Sequence, residues 1–110
     1  MKDPEQLSAN IDTCLEMLFQ SRTRLYESIE SVIDKRTDLD AAKQTAYDAG
    51  LIDGKNEDTR KVQYKSHCHA QYEALEQAER AERDAQYEFE HKRDLYETQK
   101  LHLRLLELAK

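Results

Sequence analysis

Along the first half of the chain an apolar residue returns every seven positions: Ile11, Leu18, Leu25, Val32, Leu39 and Ala46. Leu7, Leu15 and Ile29 widen this stripe, and Arg22 and Arg36 interrupt it where Leu15 and Ile29 would repeat. At about 3.6 residues per turn, seven residues make nearly two turns, so the repeat keeps one helix face apolar. Asp3 can cap such a helix, Pro4 suits its first position, and Gln6 sits where a capping-box partner belongs. The pattern predicts a first helix over 3–49. Thr37-Asp38-Leu39-Asp40 could cap a new helix inside it, which marks a place for a kink.

The interruption is Gly50-Leu51-Ile52-Asp53-Gly54-Lys55-Asn56. Gly50 can end a helix in the left-handed conformation because it has no Cβ to clash. Gly54 permits a turn, Asn56 can cap the next helix, and Glu57 and Asp58 suit its positive end. Leu51 and Ile52 are expected beneath the turn. A second helix is predicted over 57–109. Cys68, Leu75, Phe89, Tyr96 and Leu103 share one heptad position with Glu82 as the exception, and Ala78, Ala85 and Leu106 fill the companion position. Ala70, Ala74, Ala78, Ala81 and Ala85 keep the middle of this helix slim, which suits a close neighbour.

Two arms of about 50 residues, each about 75 Å long at 1.5 Å per residue, joined by a short turn, favour antiparallel packing. The predicted fold is therefore all-α: one domain over 1–110, a long antiparallel two-helix hairpin resembling a coiled coil. With the turn centred near Asp53, Leu25 is expected opposite Ala81, Leu18 opposite Phe89, and Cys68 near Asp38. At the far ends the apolar residues outgrow one seam. Leu15, Met17, Leu18 and Phe19 wrap more than half of the first helix, and Leu101, Leu103, Leu105, Leu106 and Leu108 do so on the second. A helix apolar all round is normally buried, and one neighbour covers one face. Leu15, Leu18, Phe19, Leu101, Leu105 and Leu108 are accordingly the expected interface of a homodimer or higher homo-oligomer, two hairpins pairing into a four-helix bundle. The alternative occupant is a protein partner.

Composition narrows the classes. Only two glycines and one proline are present, too few for the turns of a sheet protein of 110 residues. Charged residues reach 36%, but the regular apolar spacing argues against disorder. The net charge of −6 disfavours direct nucleic-acid binding, since an acidic surface repels phosphate. No apolar run approaches the roughly 20 residues of a membrane span. The start Met-Lys-Asp-Pro-Glu lacks the apolar core of a signal peptide. Cys14 and Cys68 form no CxxC pair and lie far apart in the hairpin register. A reducing, cytoplasmic setting is expected.

Few residues suggest chemistry. Ser66-His67-Cys68-His69 resembles a ligand cluster, but adjacent helical residues point about 100° apart and cannot converge on one ion. Cys68 is expected in the seam with the histidines flanking it. Glu88-Phe89-Glu90-His91 contains the Glu-x-x-His spacing of di-iron carboxylate proteins. Glu16 would lie near Glu88 in the hairpin, so a dimer could assemble a di-metal site from Glu16, Glu88 and His91. Against this, Phe89 in the seam turns His91 away. Lys55, Arg60, Lys61 and Lys65 make the turn locally basic, as a solvated helix start or a contact for an acidic partner. The six tyrosines read as seam-edge packing or a partner surface. No phosphate-binding loop or nucleophile elbow occurs. The reading is of a non-enzymatic protein without cofactor or catalytic residues.

The segment from Ala46 to Asn56, followed by Arg60-Lys61-Val62-Gln63, resembles the turn of small uncharacterised helical-hairpin proteins of bacteria and their phages. The ending from Leu101 to Leu108 is similar in style. The resemblance covers about a third of the chain. It implies a bacterial or phage origin and no activity. Some such proteins sit beside phage recombination functions, which supplies one more alternative: an accessory to nucleic-acid processing that acts through protein partners.

Overall fold

A computed structural model describes residues 3–109. Among them are three helices and no strand: α1 over Pro4–Asp48, α2 over Glu57–His67 and α3 over His69–Leu108. The all-α class follows directly. The chain divides into two compact units, one of Met1–Glu27 with Arg83–Lys110 and one of Ser28–Glu82. Helix α1 contributes its first part to one unit and the remainder to the other.

The start of α1 is fixed as its residues dictate. The Gln6 amide donates to the Asp3 carboxylate at 2.8 Å, and the Leu7 amide to the Asp3 carbonyl at 3.0 Å. The first bond satisfies a first-turn donor that has no helical acceptor, and the second is the first regular bond of the helix. Helix α1 runs unbroken through Thr37, so no new helix starts there. The Thr37 hydroxyl donates back to the Ile33 carbonyl at 3.0 Å, as mid-helix threonines do, so its capping oxygen is used inside the helix.

The unit of Ser28–Glu82 contains the turn. Helix α1 ends in a Schellman motif: the Leu51 amide donates to the Ala46 carbonyl at 3.1 Å and the Gly50 amide to the Tyr47 carbonyl at 3.0 Å. Gly50 takes φ +74°, the left-handed conformation that motif requires. Ile52 then turns inward and is buried, whereas Leu51, expected beneath the turn, stays exposed. The motif sends consecutive side chains to opposite sides, so only one of the two reaches the core. Asn56 caps α2 by accepting the Thr59 amide at 2.8 Å.

The predicted single second helix is two helices. Helix α2 stops at Cys68, whose backbone (φ −114°, ψ 28°) leaves the helical region before α3 resumes at His69. No glycine or proline marks the spot, so packing rather than propensity sets the break. Cys68 is 1% exposed and clusters with Leu39, Ala46 and Ile52, with Ala42, Tyr64, Tyr72 and Leu75 packed around them. Its contact region on α1 is the one expected near Asp38. Two bonds persist at the break: the Cys68 amide donates to the Tyr64 carbonyl at 2.8 Å, and the Tyr72 amide to the Cys68 carbonyl at 3.0 Å.

The inward face of α1 keeps the expected Leu7, Leu25, Val32, Leu39 and Ala46 buried, with Ile11, Leu15, Leu18 and Ile29 half-buried. Beside Leu25, Val32, Leu39 and Ala46 runs a companion column of Leu7, Cys14, Ser21, Ser28, Lys35 and Ala42, all buried or half-buried. Arg22 and Arg36 are exposed and interrupt nothing. Ser21, only 2% exposed, donates to the Leu18 carbonyl at 2.8 Å, which offsets its burial. On α3, Ala78 is buried and Ala85 half-buried, but Ala81 is exposed. In the other unit, α3 turns Phe89, Lys92, Tyr96, Gln99, Leu103 and Leu106 inward. Among the described residues no helix is long and apolar enough to cross a membrane.

Candidate interaction surface

In the unit of Met1–Glu27 and Arg83–Lys110, large apolar side chains stand in solvent. Phe19 is 48% exposed and Leu108 77%, with Leu101 and Leu105 between these values. Leu101, Leu105 and Leu108 follow i, i+4, i+7 spacing, one stripe on a helix. At 100° per residue that stripe lies on the side of α3 opposite Tyr96, Leu103 and Leu106. The remaining two expected interface residues, Leu15 and Leu18, are half-buried. Leu18 belongs to the inward column, so its own unit already covers part of it. Isolated exposed apolar residues are ordinary, but three leucines in register on one helix face are a patch.

Two exposed residues escape a reading that looks only for the first stripe. Tyr26 and Ile33 follow Phe19 at seven-residue intervals and are each more than half exposed. The signal was present in the spacing, masked because the neighbouring column, one residue earlier, has the same period. The Arg22 guanidinium lies 5.1 Å from the Phe19 ring centre and shields part of that ring.

The polar candidates are placed as follows. Glu16 and His91 are exposed and Glu88 half-buried, with the Lys92 ammonium 3.7 Å from the Glu88 carboxylate. Among the described residues no three His, Cys, Asp or Glu side chains gather so as to hold a metal ion. A site shared between two copies would draw Glu88 away from Lys92. In Ser66-His67-Cys68-His69 the cysteine faces the core and both histidines face solvent, with His69 3.6 Å from Glu73. The basic segment is partly structural. Arg60 donates to the Gly54 carbonyl at 3.1 Å, whereas Lys55, Lys61 and Lys65 are exposed, Lys61 3.7 Å from Glu57. Tyr64 and Tyr72 pack on the core, while Tyr26, Tyr47 and Tyr87 are exposed. An open trough beside α2 and α3 is lined by Tyr72 and Leu75 with Lys65, His69, Glu73 and Glu76.

No protein family matches the chain, and neither does any curated protein or solved structure. The surface therefore has to be read by its chemistry, which is apolar and helical.

Proposed function

We propose that this chain is a non-enzymatic, self-associating interaction or scaffold module. In this reading its helices run as an antiparallel hairpin, and two hairpins close into a four-helix bundle. The supporting observation is the exposure of Phe19, Leu101, Leu105 and Leu108 in one unit. Covering the surface that each still exposes would gain about 1–2 kcal/mol, and a two-fold dimer presents the same patch to itself. Affinity would come from apolar packing, and selectivity from the charged residues that rim it.

Light scattering on purified protein tests this reading. A dimer or larger assembly is expected at micromolar concentration, with Phe19→Glu and Leu105→Glu each weakening it by at least about tenfold. Both positions are exposed, so helix content by circular dichroism should not change. A monomer with both variants indistinguishable from it would reject self-association and leave the patch to a different protein.

A further inference from the structure

The two compact units have different interiors. The unit of Ser28–Glu82 buries Val32, Leu39, Ala46, Ile52, Cys68 and Ala78, and the amide of Gln63 ties its turn to Asp53 and Gly54. In the unit of Met1–Glu27 and Arg83–Lys110, the buried residues among those described are Leu7, Ser21 and Leu25, all on α1. On α3 the buried residue is Ala78, outside this unit, so the inward Phe89, Tyr96, Leu103 and Leu106 are half-buried at most. Two polar side chains share their column, seven residues apart. The Lys92 side chain is only 18% exposed and reaches the Glu88 carboxylate at 3.7 Å. Lys35, inward in the other unit, keeps 42% of its side chain in solvent. The Gln99 side-chain oxygen is shut off from solvent and has no hydrogen-bond partner among the described residues. A buried acceptor without a donor favours any state in which water can return to it.

We propose that this unit opens as a whole in the monomer and is closed by the second copy that covers Leu101, Leu105 and Leu108. The proposal rests on the self-association reading and adds that folding of this unit is coupled to it. Opening means that residues 4–27 and 83–108 part from each other while the unit of Ser28–Glu82 stays folded. Parts of one chain open separately when little buried apolar surface holds one of them. The uncovered leucines stand in this same unit. Their i, i+4, i+7 stripe exists only while α3 is helical, and a helix end without a packed neighbour frays. A second copy that packs on the stripe therefore binds the closed form better than the open one. Closure then strengthens as the chain concentration rises through the dimer transition. Gln99 and Lys92 set the balance, because apolar residues in their places would close the unit without a partner.

Hydrogen exchange, with sedimentation equilibrium on the same samples, tests the coupling. Below the dimer transition, amides of residues 14–21 and 92–103 should exchange at least about a hundredfold faster than those of 39–46 and 70–78. Above it, the first group should slow about tenfold for each tenfold rise in free chain, and the second should not. At low concentration Gln99→Leu should slow the first group about tenfold on both arms, since it removes the unpaired oxygen. Simple fraying predicts something else: protection that falls gradually toward residues 4 and 108, and a Gln99→Leu effect confined to its own stretch of α3. Equal protection of the two groups in the monomer, an effect of Gln99→Leu on α3 alone, or first-group rates unmoved by concentration while the chain dimerises would overturn the coupling and leave self-association standing. A wild type that stays monomeric would overturn both.

Discussion

The two glycines of the turn are required for different reasons. Gly50 sits at φ +74° with open space around it, so any side chain fits but the backbone conformation resists it. A β-branched residue is worst there, and Gly50→Val should cost about 1–2 kcal/mol. A Cβ at Gly54 would lie 2.8 Å from the Thr59 methyl and 3.0 Å from the Arg60 amide nitrogen. Gly54→Ala should therefore lower the melting temperature through a clash. Adding Thr59→Ser, which removes the methyl, should recover part of the loss at Gly54 and nothing at Gly50. Equal recovery in thermal melts of both backgrounds would contradict the distinction. The role of Gly50 was legible because a helix stop has a local signature. The latch around Gly54 was not. Gln63 accepts the Gly54 amide at 2.9 Å and donates to Asp53 at 2.6 Å, a reach across about ten residues that exists only once the turn has formed.

At the scale of elements, the helical class and the ends of α1 followed from periodicity and caps, while the break at Cys68 did not. No glycine or proline stops the helix at 66–69, and the break arises where four weaker helix formers meet a core that draws Cys68 inward. Part of the companion column of α1 was missed, because Ser21, Ser28 and Lys35 are polar and an apolar template passes over them, although Leu15 and Ile29 are half-buried as expected. The two cysteines offer a direct check on the break. Cys68 is buried and Cys14 half-buried, and both are free. In native protein a water-soluble thiol reagent should modify Cys14 well before Cys68, and in denaturant the two rates should converge. Native-state labelling of Cys68 as fast as that of Cys14 would mean that the α2–α3 junction does not seat the thiol in the core of Leu39, Ala46 and Ile52.

For the whole molecule, the sequence made the surplus of apolar surface visible, since leucines at positions outside one seam can be counted without coordinates. Which of them remain uncovered needed the structure: Leu15 and Leu18 are partly covered, while Phe19, Leu101, Leu105 and Leu108 are not. The exposed column of Phe19, Tyr26 and Ile33 was legible in principle, yet it shares its period with the inward column and differs only in phase, so exposure was needed to separate them. The proposed function depends on these uncovered faces finding copies of themselves. Sedimentation equilibrium of the wild-type chain over a hundredfold concentration range tests that most directly. The expected result is a concentration-dependent mass that rises from monomer to at least twice the monomer mass, with the transition displaced to higher concentration by Phe19→Glu. A mass of 13.0 kDa at every concentration, unaltered by Phe19→Glu, would contradict it.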